Sequence, residues 1–244
     1  INEGKMVVTQ GFLGGTIEKF TTTLGREGSD FTAAIFAHSL DANSMSVWKD
    51  VPGILSADPR LFADALKIPE LSYYEAIEMT YYGAKVIHPK TIKPLQNKGI
   101  PLIVRSFSLP HETGTIIHHS NGLAMPPVVV INKNQLLLSI TTKDFSFIAE
   151  ENLSRIYQLF AKHRIKANLS QNAAISFSAC IDNVPYKVEP LIADLNVTYK
   201  VLSNKDLELI TIRNYQYEVI EKYTKNRDII LQQKSRHTVQ MLVR

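Results

Sequence analysis

Thr21-Thr22-Thr23-Leu24-Gly25-Arg26-Glu27-Gly28-Ser29-Asp30, running straight into Phe31-Thr32-Ala33-Ala34-Ile35-Phe36-Ala37, is the stretch on which the reading of this chain turns. Two glycines and a Ser/Asp pair stand directly ahead of small, helix-forming residues. Free backbone N–H groups, a capping hydroxyl at Ser29 and the positive end of a helix dipole therefore coincide. That combination holds anions. Arg26 adds a permanently charged planar fork that matches a carboxylate or phosphate, and Asp30 adds a carboxylate able to orient a cation or a lysine. On spacing alone, a capped helix after an ordinary loop accounts for the stretch equally well.

The surroundings extend it in both directions. Residues 5–10 are apolar and β-branched and run into a glycine-rich turn, Gly11-Phe12-Leu13-Gly14-Gly15, so a strand is predicted there. A helix over 30–40 and a buried strand over 44–48 follow. Strand, glycine turn, helix and strand make a βαβ unit, which implies a parallel sheet with ligands gathered at the carboxyl ends of its strands. Lys49-Asp50-Val51-Pro52-Gly53-Ile54-Leu55-Ser56-Ala57-Asp58-Pro59-Arg60 is then a loop with two turn signals. Its charges, Lys49, Asp50 and Arg60, suit either a polyphosphate or bulk water. An amphipathic helix over 72–82 ends at Gly83. Lys85 sits in the break before a second helix opened by Pro89 and running to about 98, and a strand covers 100–107.

Composition narrows the classes. At 244 residues, with 45% apolar and 20% charged residues, the chain is an ordinary globular one, long enough for two modest domains. No apolar run reaches the length of a membrane-spanning helix and no secretory signal opens the sequence, so a cytoplasmic protein without membrane contact is expected. Cys180 is the only cysteine, which excludes an intrachain disulfide and a cysteine-based metal cluster. His118-His119 is the nearest thing to a metal motif, and no metal site is expected from it. The net charge of +4 is spread thinly, against nucleic-acid binding.

The turn-rich residues 118–126 read as a linker. Beyond them the pattern is strand (128–131), strand (136–141), helix (149–163), strand (167–170), strand (175–181), helix (184–195) and strand (198–202). The core of that series is a ferredoxin-like β-α-β-β-α-β arrangement. A compressed second series follows: strand 208–212, helix 217–224, strands 229–233 and 238–243. Tandem α+β units of this kind suggest regulation or assembly rather than chemistry.

Taken together, Val8-Thr9-Gln10-Gly11-Phe12, the Thr21–Asp30 stretch, Trp48-Lys49-Asp50-Val51-Pro52-Gly53-Ile54, Asp58-Pro59-Arg60 and Tyr82-Gly83-Ala84-Lys85-Val86-Ile87-His88-Pro89 closely resemble, in order and spacing, the C-terminal half of the aspartate kinase (aspartokinase) catalytic domain. The resemblance implies an α/β amino-acid kinase-like sheet, mostly parallel, over residues 1–117. It implies a tandem ACT-like region over 127–244, the first unit about 135–203 and the second about 127–134 plus 204–244. It further implies ATP-dependent phosphorylation of the β-carboxylate of L-aspartate, the opening step toward lysine, threonine and methionine, with ATP and Mg²⁺ required.

By the same resemblance, Arg26 and Ser29 bind aspartate, and Asp30, Arg26 and Lys85 serve catalysis. Lys49, Asp50, Leu55, Arg60 and Lys85 line the nucleotide site. Ser146, Phe147, Ile148, Lys166, Ala167, Asn168 and Asn172 are the effector positions, for lysine or threonine, and a homodimer through the ACT domains is expected. Three departures stand out. The Lys-Phe-Gly-Gly segment that opens family kinase domains has no counterpart here, so the chain, which starts at Ile1, is expected to be a fragment without activity of its own. An amino-acid-binding, dimerising module without catalysis is the alternative. Lys49 stands where many relatives carry a small hydroxylated residue. Residues 142–148 lack the usual glycine and Asn168 replaces a frequent acid, which weakens the expected grip on an effector's ammonium group.

Overall fold

The computed structural model describes residues 4–84 and 87–244, and the chain divides into two compact units, 1–128 and 129–244. In the first unit a short hairpin, β1 (Leu13–Gly15) and β2 (Thr21–Thr23), leads into helix α1 (Gly28–Ser39) and strand β3 (Met45–Lys49). A second small hairpin, β4 (Ile54–Leu55) with β5 (Lys67–Ile68), is followed by β6 (Glu70–Ser72), α2 (Tyr73–Tyr81), α3 (Pro89–Lys98), β7 (Leu102–Ser106) and β8 (Thr115–His118). The main sheet has the order β3-β7-β8-β6, with β3–β7 and β6–β8 parallel and β7–β8 antiparallel.

Strand alternation explains how this sheet buries a core. Met45 and Val47 of β3, with Leu102 and Val104 of β7, point to one face and pack with Ala34 and Ala37 of α1 and Ile92 and Leu95 of α3. Small residues on α1 let it lie close to its neighbours. The α2 and α3 starts follow their signals: Ser72 accepts from the Glu75 amide at 3.1 Å, and His88 Nδ1 accepts from the Lys90 amide at 3.1 Å, with Pro89 in the first turn.

Two expectations fail in this unit. Residues 5–10 form no strand: among the described residues no strand offers them a hydrogen-bonding ladder, and Met6 stands 92% exposed. The partner of β3 is β7 rather than a strand ahead of α1. Ser29 is also not the cap of α1. Glu27 occupies the cap position in the left-handed conformation (φ 56°), makes no capping hydrogen bond, and leaves Ser29 inside the first turn.

The second unit holds β9 (Val128–Thr142), α4 (Glu150–Lys162), β10 (Ala167–Asn172), β11 (Ser176–Asp182), α5 (Pro185–Thr198), β12 (Tyr199–Arg213), α6 (Tyr217–Thr224), β13 (Ile229–Lys234) and β14 (Thr238–Val243). They build one six-stranded sheet, β10-β11-β9-β12-β14-β13, with antiparallel pairing of β10–β11, β11–β9, β12–β14 and β13–β14. Leu136, Leu138 and Ile140 of β9 face Ile156 and Phe160 of α4 and Leu191 and Leu195 of α5. On the other face, Leu137 joins Leu169, Cys180, Leu207, Leu209 and Leu242.

The breaks that sequence alone places between 131 and 136 and between 202 and 208 are not ends of strands. β9 and β12 each run for 15 residues through a single left-handed residue, Asn134 (φ 54°) or Asp206 (φ 59°). Neighbouring strands keep the ladder going past a local kink that an isolated segment would turn into a loop.

Candidate functional site

The first turn of α1 is assembled by close backbone approach. A turn through Gly25 to Gly28, closed by the Gly28 amide donating to the Gly25 carbonyl at 3.0 Å, delivers the chain into the helix. Gly11-Phe12 lies against that turn: the Phe12 amide donates to Thr32 Oγ1 at 3.1 Å, and the Leu24 amide donates to the Phe12 carbonyl at 2.8 Å. A Cβ at Gly28 would stand 2.9 Å from the Phe12 ring and 3.1 Å from Leu24 Cβ, so only glycine fits there. The glycine-rich turn is thus the wall behind the helix start.

Alternation along β3 sets the opposite wall. Met45 and Val47 point inward and are buried; Lys49, the next residue of the same row, emerges at the carboxyl end of the strand. Its Nζ donates to Asp30 Oδ2 at 2.7 Å, with the two side chains 25% and 18% exposed. This partly sheltered ion pair joins the helix start to the strand end, where ligands collect in such sheets. Arg26 stands 75% exposed on the same turn, its Nε 3.9 Å from Glu27 Oε1, and Ser29 is exposed beside it. Glu27 Oε2 is buried and meets no hydrogen-bond donor among the described residues.

The loop after β3 is pinned rather than loose. The hydroxyl of Thr115 accepts from the Ile54 amide at 2.8 Å and donates to the Ile68 carbonyl at 2.6 Å. Gly53 (φ 148°) packs so closely that a Cβ would stand 2.5 Å from Thr115 Oγ1. Leu55 sits in β4, half-buried, and Asp50 is exposed next to Lys49. Arg60 is engaged within the loop: Nε and Nη2 donate to the two Asp58 carboxylate oxygens at 3.0 and 2.8 Å. The Asp58 carboxylate holds the Arg60 guanidinium above its ordinary pKa, and Asp50 adds to that field, so Asp50, Asp58 and Arg60 form one charged patch. Lys85 lies outside the described residues.

One feature of this edge escapes a sequence reading. Trp48 packs edge-on against Phe107 at 6.0 Å and lies under the Arg105 guanidinium at 5.7 Å, while the Phe107 amide donates to the Lys49 carbonyl at 2.8 Å. The only available signal is that Trp48 adjoins Lys49; the pairing of β3 with β7 brings the rest. Among the described residues, no group of three or more His, Cys, Asp or Glu side chains could hold a metal ion, and no helix is long and apolar enough to cross a membrane.

In the second unit the proposed effector positions fall into two groups. Ser146, Phe147 and Ile148 lie in the loop after β9, where the Ile148 amide donates to the Ala174 carbonyl at 2.8 Å, close in sequence to Asn172. Lys166, Ala167 and Asn168 are at the other end of β10, about 13 Å away along the strand. Asn168 is committed to the sheet: its amide donates to Gln135 Oε1 at 3.0 Å and to Asp182 Oδ1 at 2.9 Å. Ser146 is tied to Asp144 through its amide and hydroxyl, which hold the Asp144 carboxyl below its ordinary pKa.

Comparisons with known proteins bear on both units. Residues 1–106 match the amino acid kinase family. Lysine-sensitive aspartokinase 3 of Escherichia coli is 38% identical over 189 residues, 75% of this chain and 40% of that protein. Chloroplastic aspartokinase 3 of Arabidopsis thaliana is 33% identical over 187 residues, 74% of this chain and 33% of that protein. The chain therefore spans less than half the length of these relatives. The crystal structure of E. coli aspartokinase III in complex with aspartate and ADP superimposes with a TM-score of 0.81 at 30% identity, covering 99% of this chain and 57% of that one.

Proposed function

Because the chain belongs to the aspartokinase family, of whose members it spans a part, we propose that the protein carrying it phosphorylates the β-carboxylate of L-aspartate with ATP. The observation that carries this reading is the meeting of the α1 start, with Arg26, Ser29 and Asp30, and the carboxyl end of β3 at Lys49. A carboxylate acceptor and a terminal phosphate are both anions. Bringing them together takes fixed positive charge and alignment more than covalent assistance from the protein.

In this reading Arg26 pairs with a carboxylate of aspartate, and Ser29 and the N–H groups of the first turn of α1 hold its oxygens. A β-carboxylate oxygen forms a bond to the γ-phosphorus while the bond from that phosphorus to the bridging oxygen breaks, and the electron pair leaves with ADP. No proton moves, since the acceptor is already ionised. Asp50, Leu55 and Arg60 line the nucleotide side, supported by the way Thr115 pins their loop. Lys85, which lies outside the described residues, keeps the phosphate-binding role that the resemblance implies for it.

Mg²⁺ fits this donor set only as a passenger on the nucleotide, because Asp30 is the single nearby carboxylate of the helix and no protein cage is present among the described residues. When bound, it neutralises phosphate charge. The second unit is assigned to two ACT domains that share β9 and β12, about 135–203 and about 127–134 plus 204–244. Its β-α-β-β-α-β order supports regulation by an amino acid, lysine or threonine, and a homodimer. A cytoplasmic location goes with that role.

The test is to incubate the full-length protein with ATP, Mg²⁺ and L-aspartate and to trap the acyl phosphate with hydroxylamine. Aspartyl hydroxamate that requires all three reactants is the expected result. Its absence, with hydroxamate formed from another amino acid, would replace aspartate as the substrate.

A further inference from the structure

Lys49 is the one cation of the expected site, among the described residues, that is held directly against Asp30. The other two are placed differently. Arg60 has both ends of its fork on Asp58, and Arg26 stands 75% exposed at the outer side of its turn. A lysine bound at 2.7 Å to a carboxylate in the first turn of α1 stands beside the helix start that holds the acceptor in the reading above, which is where a terminal phosphate has to arrive.

We propose that Lys49 is a catalytic residue of the phosphoryl transfer, meeting the terminal phosphate rather than the adenosine, and that its pair with Asp30 is the resting arrangement into which the nucleotide inserts; this rests on the kinase reading above. Three properties support it. The pair is partly sheltered, so its charges are felt at short range, yet both side chains remain open enough to be reached by a ligand. Lys49 ends an inward row whose earlier members, Met45 and Val47, are buried in the core, which fixes the direction of its stem. An ammonium carries three donors, so Lys49 can keep Asp30 and also donate to a phosphate oxygen.

In the step itself, the β-carboxylate oxygen bonds to the γ-phosphorus as the bond to the bridging oxygen breaks and ADP departs with the electron pair. Lys49 keeps its proton throughout and offsets charge on the transferred and bridging oxygens. Asp30 keeps the ammonium directed at them.

The experiment compares wild type, Lys49→Met, Lys49→Thr and Lys49→Arg in the full-length protein, by hydroxamate trapping, together with direct titration of adenosine and of ATP. Matching thermal melts serve as the folding control. Met and Thr are expected to lower kcat about 10²–10³-fold. KM for aspartate should stay within about threefold, Arg should restore a large part of the rate, and adenosine affinity should be equal in all four proteins. Near wild-type kcat in Lys49→Met, with ATP and adenosine weakened in parallel, would make Lys49 a nucleoside contact and overturn the inference while leaving the kinase reading in place. A wild-type protein that neither forms aspartyl hydroxamate nor binds ATP overturns both.

Discussion

In the first unit the charged groups at the carboxyl end of the sheet keep unused capacity, whereas in the second they are consumed by one another. Asp30 and Lys49 pair while remaining within reach of solvent, and Arg26 is exposed beside them. In the second unit Asp194 Oδ2 accepts from Lys162 at 2.7 Å and from His163 at 2.8 Å, clamping α4 to α5. Both contacts hold its carboxyl below the ordinary pKa, Lys162 most strongly. Gln135, Asn168, Asp182 and Cys180 close a hydrogen-bonded network on the other face of the sheet. Polar groups that have found partners in the protein stiffen a scaffold; polar groups left open at a strand end and helix start are what a substrate can engage.

Four measurements would break or sharpen that contrast. The largest effect is expected from Asp30→Asn, which should lower hydroxamate formation by the full-length protein about 10²–10³-fold with little change in melting temperature. A large fall in stability instead would turn the Asp30–Lys49 pair into a structural clamp like that of Asp194. Leu138→Ala should do the opposite. Leu138 is fully buried under α4 and α5, so urea unfolding should show a loss of about 3 kcal/mol, with activity per folded molecule unchanged.

Smaller and of opposite sign is Glu27→Gly. Relieving a left-handed glutamate and removing an unpartnered buried carboxylate oxygen should raise stability by about 1 kcal/mol, read as a higher urea midpoint. A lower midpoint would mean that the glutamate side chain makes up for its backbone. Least in magnitude is the behaviour of Cys180. Burial, with the Asp182 charge adding to it, pushes its thiol from 9.0 up to about 12. At pH 8 the native protein should leave a thiol reagent unreacted, and one thiol per chain should appear on unfolding. Because the folded form holds this proton more tightly, its contribution is complete below pH about 9 and declines as pH rises toward 12. Rapid labelling of native protein at pH 8 would show that the network face is open.

Much of this was legible in the residues. Pro89 opens α3, which runs Pro89–Lys98 against an expected end at about 98, and the helix expected over 149–163 is α4, Glu150–Lys162. Where strands were missed or misplaced, the cause is shared: long-range pairing overrides local signals. Residues 5–10 carry strand-forming side chains, yet among the described residues no strand runs alongside them as a ladder. Asn134 and Asp206 carry turn chemistry, yet adjacent strands hold them in line. The α1 cap was misread because a glutamate in the left-handed conformation carries no signature that distinguishes it from one inside a helix. At the site, Asp30 and Lys49 were both singled out, but their contact was not; it follows from the parity of the row Met45, Val47, Lys49 once β3 is set beside α1.

The two 15-residue strands of the second unit have a mechanical consequence. β11 grips β9 along Gln135–Thr141, and β14 grips β12 along Glu208–Arg213, while β9 and β12 lie side by side at the centre. A small rotation imposed where one outer strand is attached is therefore handed down a continuous backbone to the opposite flank, as a lever is shared between two hands. Amide exchange across all six strands should rise and fall together.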